Sequence, residues 1–141
     1  MTQVNFYTLG NDAADARLQF ACRLTEKARE LGHQIYIQTS SIEVAKQLDD
    51  LLWQFKPASF IPHEVVTDKA ATGSGVSISV NPAPPEFSDL LINLTESVCA
   101  NHQQFARINE IIGADTDSIE AGRQRYRFYR DAGVTLETFK I

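Results

Sequence analysis

The amino-acid sequence predicts an α/β domain with a largely parallel central sheet. Short apolar runs typical of strands alternate with longer segments in which apolar residues recur at helical spacing. A helix between two strands implies a crossover connection, and crossovers favour parallel strands with helices on both faces of the sheet. The predicted fold is therefore a Rossmann-like three-layer αβα domain. Its 141 residues are enough for a single domain (residues 1–141) with a continuous core.

The first elements are a strand, a helix and a second strand. Residues 4–9 and 34–39 predict the strands, and residues 13–31 predict the helix between them. Gly32 follows this helix at the position where a glycine commonly ends helices.

A second helix and a third strand are expected next. Ser40 and Glu43 have the spacing of a capping box, which predicts a helix that runs to about Phe55. Pro57 stops it. Residues 76–80 alternate between apolar and polar side chains, a pattern typical of a half-buried strand.

The C-terminal part is predicted to contain two more strands and one helix. Residues 89–94 are apolar at their centre, as in a strand covered on both faces. Residues 105–112 predict the last strand, although a short helix is also possible there. Residues 115–118 offer several N-caps for a final helix, which Gly133 ends.

Charge and composition exclude several classes of protein. A formal net charge of -5 argues against a protein that grips a phosphate backbone over a large surface. No apolar run approaches the roughly 18 residues of a membrane span, and the first residues lack the pattern of a signal peptide. Cys22 and Cys99 lie in no metal-spaced motif, so we expect reduced, packed thiols in a cytoplasmic protein.

No catalytic, metal or cofactor site is predicted. The turn after the first strand has one glycine, Gly10, followed by Asp12, whereas a dinucleotide turn needs several glycines near the pyrophosphate. His33, His63 and His102 have no metal-ligand spacing. An enzyme built from residues scattered along the chain stays open as an alternative.

An unusual concentration of positive charge lies near the C-terminus. Residues 123–130 contain four arginines and three aromatic residues. Helical spacing places Ile119, Arg123, Tyr126 and Arg130 on one stripe, with Arg127 at its edge. Guanidinium groups are suited to bind carboxylates or phosphates. The stripe is interpreted either as a binding surface or as a solvated helix face.

The opposite side of the same helix is predicted to pack on the core. It carries Ala121, Phe128 and Ala132, with Tyr129 near its border.

A second candidate surface surrounds the only tryptophan. Trp53, Phe55 and Phe60 are interleaved with Pro57 and Pro62 across a predicted helix end. These side chains either cover the edge of the core or form a preformed pocket for a partner, because aromatic anchors are common interface hot spots.

The chain resembles the chi subunit family of bacterial DNA polymerase III. The likeness spans nearly the whole chain. The matching blocks are Asn5-Phe6-Tyr7 with Leu9, Leu52-Trp53 followed by Ser59-Phe60-Ile61-Pro62-His63, Asp89-Leu90-Leu91-Ile92-Asn93-Leu94, and residues 123–133.

The resemblance implies a Rossmann-like adaptor without catalytic activity or cofactor. Such an adaptor binds the psi subunit of the clamp loader and the acidic C-terminal tail of single-stranded-DNA-binding protein, which ends in Pro-Phe. It implies that Trp53, Pro57 and Phe60 form the psi surface, which in some members also binds a repair helicase.

The resemblance also places the tail site on the arginine-bearing helix. Arg123 and Tyr126 match the tail-binding residues, and Ile112 matches an apolar wall. Ile119 stands where the family has a basic residue, one turn before Arg123. Arg127 and Arg130 are assigned to this site by the stripe alone. A direct single-stranded nucleic-acid binder that uses Tyr126 for stacking is the main alternative.

Overall fold

The computed structural model describes residues 2–10, 15–54, 64–66, 75–85, 87–99 and 102–141. These residues form seven strands, three α-helices and a short 3-10 helix. The strands are β1 (Gln3–Thr8), β2 (Ile35–Gln38), β3 (Glu64–Val66), β4 (Val76–Ser79), β5 (Leu90–Asn93), β6 (Arg107–Ile112) and β7 (Thr135–Lys140). The helices are α1 (Ala16–Glu30), α2 (Ile42–Gln54), α3 (Thr116–Asp131) and the 3-10 turn His102–Gln104. Within the described ranges, every helix is too short or too polar to cross a membrane.

The seven strands form one parallel sheet in the order β3-β4-β2-β5-β6-β1-β7. Helices lie on both faces, because each crossover from one parallel strand to the next must pass over the sheet. The predicted Rossmann-like three-layer fold is confirmed.

Two apolar clusters fill the space between the sheet and the helices. Leu18 of α1 and Leu48 of α2 pack with Ile111 on one face. Tyr129 of α3 packs with Phe6 and Ile108 on the other. Ile108 and Ile111 thus belong to opposite faces of β6, as the alternation of side chains along a strand requires. Each fully buried side chain of this size stabilises the fold by about 1.5–3 kcal/mol.

The burial predicted for β4 is wrong. Ser77 and Ser79 are 1% and 0% exposed, although their alternation with apolar residues indicated a solvent-facing side. All four residues of β4 are buried, as expected for a strand inside a parallel sheet, because such sheets are covered by other elements on both faces.

The predicted cap of α2 is off by one residue. The hydroxyl oxygen of Ser41 accepts a hydrogen bond from the backbone N–H of Val44 at 3.2 Å. Ser41 precedes the first helical residue, Ile42, and so occupies the capping position that the sequence assigned to Ser40.

Residues 105–112 do contain a strand, β6, but it is not the last. The sequence analysis missed β7, which pairs in parallel with β1 so that Thr8 lies opposite Lys140. β7 is an edge strand of mostly exposed residues and therefore lacks the apolar run that identifies covered strands.

Candidate peptide-binding site beside the third helix

The third helix begins and ends where the sequence predicts. Asp115 has an extended backbone, and its carboxylate accepts a hydrogen bond from the backbone N–H of Ser118 at 3.0 Å. Hydrogen bonds from Ser118 lower the pKa of Asp115. Gly133, at φ 78°, follows the helix in the left-handed conformation that glycine adopts without strain.

The predicted core face of α3 is wrong at Phe128 and Ala132, which are exposed, and right at its border, where Tyr129 is buried. The buried residues of the helix are Gly122, Arg125 and Tyr129. Phe128, which was expected to pack inward, is 47% exposed. Compared with the prediction, the helix is rotated about its axis, because Arg125, which the sequence analysis placed on neither face, is buried.

Arg125 is held there by a buried carboxylate. Its Nε atom donates to Oε1 of Glu110 at 2.8 Å, and Glu110 is 0% exposed. The Tyr129 hydroxyl donates to the other carboxylate oxygen at 2.9 Å, and Asn93 donates to both oxygens. Burial raises the pKa of Glu110, while the Arg125 guanidinium and these hydrogen bonds oppose the rise. This network fixes the rotation of α3 on the sheet.

An open pocket of about 410 Å³ lies between α3 and the carboxyl ends of β1, β6 and β7. We call it the α3 pocket. It is lined by Phe6, Thr8, Leu9, Ile112, Gly113, Ala114, Ile119, Gly122, Arg123, Tyr126, Thr138 and Lys140. Ligands of parallel α/β proteins commonly bind outside the carboxyl ends of the strands.

Close packing of α3 on β6 shapes one wall of the α3 pocket. A Cβ atom on Gly122 would lie 2.5 Å from Cδ1 of Ile112, so a glycine permits this approach. The ring of Tyr126 packs edge-on against Phe6, with ring centroids 5.4 Å apart. The result is an apolar floor beneath the exposed arginine of the helix.

The predicted tail-site residues divide into two groups. Ile112, Arg123 and Tyr126 line the α3 pocket together. Arg127 and Arg130 are exposed on the same helix but lie outside the pocket lining.

Arg123 is available to a ligand. Its side chain is 65% exposed, and its Nη1 atom is 4.0 Å from the carboxylate of Glu120. Ion pairs at such exposed positions contribute little free energy. By contrast, Arg130 lies 3.3 Å from Asp131.

Sequence reasoning missed Lys140, which lines the α3 pocket from β7. The pairing of Thr8 with Lys140 brings this cation to the pocket. Recognising β7 as a strand beside β1 was the step needed to find it.

The predicted psi surface is largely outside the described residues. Trp53 lies in the last turn of α2, and only its backbone is described. Pro57 and Phe60 lie outside the described ranges, as do residues 11–14 of the turn tested for dinucleotide binding.

The two thiols are packed, as expected. Cys22 and Cys99 are free and buried, and burial raises the pKa of each to about 12. Both therefore stay protonated at neutral pH. Among the residues that the structure describes, no group of three or more metal-ligating side chains was found.

The sheet and its helices define a Rossmann-like α/β protein, with an open, cation-lined apolar pocket at the carboxyl edge of the sheet. Residues 1–137 match the family described as "DNA polymerase III chi subunit, HolC". The chain therefore belongs to this family of accessory subunits of the replicative polymerase.

Individual relatives agree with this assignment. The DNA polymerase III subunit chi of Pseudomonas aeruginosa is 35% identical over 141 residues, which cover 100% of this chain and 98% of the relative. The subunit chi of Escherichia coli strain K12 is 27% identical over 143 residues, which cover 98% and 97% of the two chains.

A solved structure supports the fold alone. The crystal structure of T4 UvsW superposes with a TM-score of 0.69 at 10% identity and covers 99% of this chain but 41% of UvsW.

Proposed function

We propose that the protein is a non-catalytic adaptor that joins the clamp loader, through the psi subunit, to the acidic tail of single-stranded-DNA-binding protein. The proposal that the protein binds the tail rests on the position of Arg123. This side chain is exposed at the α3 pocket, which Tyr126 and Ile112 also line. The psi half is supported by the family and by the resemblance of the segment around Trp53.

The chemistry of the tail fits that of the α3 pocket. A peptide that ends in aspartates, proline and phenylalanine presents several carboxylates and one apolar ring. In the proposed complex, Arg123 pairs with the terminal carboxylate, because a guanidinium forms two parallel hydrogen bonds to such a group. The phenylalanine ring enters the α3 pocket between Tyr126 and Ile112, above Phe6.

A single tail is expected to bind weakly. A hydrogen bond to a charged group contributes about 1.5–3 kcal/mol, and burying a phenylalanine contributes about as much. Association costs at least about 4 kcal/mol in lost freedom of motion. Several tails on one oligomer raise the effective concentration and strengthen the attachment.

The adaptor function is tested by co-purification with single-stranded-DNA-binding protein. The intact partner is expected to bind, and the partner without its last residues is expected not to bind. Retention of the truncated partner would contradict the proposal. A bare oligonucleotide that binds more tightly than a tail peptide would favour the direct nucleic-acid binder, since Phe128 and Arg127 are both exposed on α3.

Lys140 is predicted to supply the cation that Ile119 does not. Replacing Lys140 with glutamine should weaken tail binding several-fold, because one charge at the α3 pocket is lost while a flexible polar side chain is kept. Ile119→Arg should restore affinity in the Lys140→Gln background. Fluorescence anisotropy with a labelled tail peptide measures both effects. An unchanged affinity in Lys140→Gln would show that Lys140 of β7 does not contribute to tail binding.

Trp53 is predicted to contribute to the binding of psi and not to the binding of the tail. Trp53→Ala should reduce psi binding at least tenfold, because large aromatic anchors dominate interfaces. Tail binding should be unchanged, since Trp53 and the α3 pocket belong to different elements. Calorimetric titration with each partner checks the pair of outcomes. Loss of both activities would indicate misfolding or one shared surface.

A further inference from the structure

A second pocket lies on the opposite face of the sheet, between α1 and the β-strands. We call it the α1 pocket; its volume is about 440 Å³. It is lined by Tyr7, Phe20, Arg23, Leu24, Lys27, Ala28, Leu31, His33, Asp89, Leu90, Arg107 and Asn109. Leu24 and Tyr7 pack with the core cluster of α1 and α2, whereas Phe6 belongs to the cluster of α3. The two pockets are therefore separated by the sheet.

The floor of the α1 pocket is apolar and continues to the protein surface. The ring of Tyr7 packs against Phe20 on one side and Phe139 of β7 on the other, with ring centroids 5.2 Å apart in each pair. Leu31, just after α1, is 69% exposed at the pocket. Phe139 is 39% exposed. An apolar surface that extends outward from a pocket is typical of a protein interaction site.

The walls of the α1 pocket carry three unpaired cations. Arg23 and Lys27 lie one turn apart on α1, and Arg107 begins β6. All three are exposed, and none forms an ion pair within the described part of the chain. This local excess of positive charge occurs in a protein of net charge -5.

The carboxylate in the lining of the α1 pocket is already engaged. One oxygen of Asp89 lies 2.9 Å from Nδ1 of His33, and the other accepts a hydrogen bond from the backbone N–H of Gln34 at 2.9 Å. Asp89 therefore holds the turn before β2, and as a single carboxylate it can offset at most one of the three positive charges.

We propose that the α1 pocket docks an acidic peptide segment of a partner protein, one that carries a large apolar side chain among its carboxylates. The apolar residue fills the floor, and the carboxylates pair with Arg23, Lys27 and Arg107. An acidic partner is favoured by charge complementarity, because Arg23 and Lys27 on α1 and Arg107 on β6 place positive charge on two sides of the pocket. Bare nucleic acid fits less well, because the rings of Tyr7 and Phe20 pack within the protein and the exposed surface beyond them is extended by Leu31, which cannot stack on a base.

The test uses a blocked acidic peptide with intact protein. The probe is fluorescent acetyl-Asp-Glu-Asp-Leu-Phe-Asp-Glu-Asp-amide, and its matched control replaces every Asp and Glu with Asn and Gln. The amidated end removes the terminal carboxylate that is proposed to be required for binding to the α3 pocket. We expect the acidic peptide to bind at least about tenfold more tightly than its control, with amide chemical shifts at Leu31, His33 and Asn109.

Variants assign the binding to the α1 pocket. The double variant Arg23→Glu/Arg107→Glu should lower the affinity for the acidic peptide at least about tenfold. Its melting temperature should be unchanged. Arg123→Ala, on the other face, should leave its affinity unchanged. The proposal is overturned if neither peptide shifts these amides, or if Arg123→Ala abolishes binding. It is also overturned if a twelve-residue oligothymidylate occupies the same residues more tightly than the acidic peptide does.

Discussion

Replacing Arg125 with alanine is expected to lower the free energy of unfolding by about 3–5 kcal/mol. The substitution leaves the carboxylate of Glu110 buried without its cation, and a buried charge without a partner is strongly destabilising. Urea denaturation monitored by circular dichroism measures the loss. Arg127→Ala is the matched control, because this exposed arginine of the same helix should change stability by less than about 0.5 kcal/mol.

The loss in Arg125→Ala should depend on pH. Removing the guanidinium takes away an interaction that lowers the pKa of Glu110, so the folded-state pKa rises further above the unfolded value. A carboxyl group with a raised folded-state pKa favours the folded state at low pH, and this contribution is lost as the pH rises. The variant should therefore be closer to wild type at pH 5 than at pH 8. An equal deficit at both values would contradict the assignment.

The double variant Glu110→Leu/Arg125→Met separates the ion pair from the packing. Apolar side chains of similar volume commonly replace a buried ion pair at little cost. We expect this variant to be more stable than Arg125→Ala alone. If it is equally unstable, the unpaired charge is not the cause, and the loss comes from packing or from the hydrogen bonds that Tyr129 and Asn93 make to Glu110.

Replacing Arg123 with alanine is expected to weaken tail binding at least tenfold without changing stability. Arg123 stands at the rim of the α3 pocket, and a hydrogen bond to a charged group is worth about 1.5–3 kcal/mol, which is tenfold or more in affinity. The side chain is 65% exposed, so its removal opens no cavity. Anisotropy with a labelled tail peptide measures the change, and the psi subunit should bind as before.

Arg127→Ala serves again as the matched control for Arg123→Ala. Both arginines lie on α3, but Arg127 is not part of the α3 pocket lining. A site-specific contact predicts a large effect at Arg123 and a small one at Arg127. Equal losses at the two positions would instead indicate a diffuse electrostatic attraction, and the pocket would not define the site.

The covered strands were predictable because their chemistry is simple. β2 and β5 have apolar centres, and the structure buries both on each face. β7 was not predictable in the same way, since an edge strand tolerates polar residues such as Glu137 and Lys140. Its pairing with β1 depends on contacts between residues more than a hundred positions apart in sequence.

The orientation of α3 shows a second limit of sequence patterns. Helical spacing correctly placed Arg123 and Tyr126 on an exposed stripe. It misplaced the core face, because a buried Arg125 looks like a surface residue until its partner Glu110 is found on β6. Ile112 came from the family resemblance, whereas Phe6 and Lys140 joined the α3 pocket only through the arrangement of the strands.

The most direct test is a chemical-shift titration of the protein with the last residues of single-stranded-DNA-binding protein. We expect a peptide with a free terminal carboxylate to shift the amides of Thr8, Gly113, Gly122 and Lys140 around the α3 pocket. The same peptide with an amidated end should shift them far less. Shifts confined to the opposite face around Arg107 would show that the tail does not bind at the α3 pocket. Equal effects of the two peptides would show that the terminal carboxylate is not recognised.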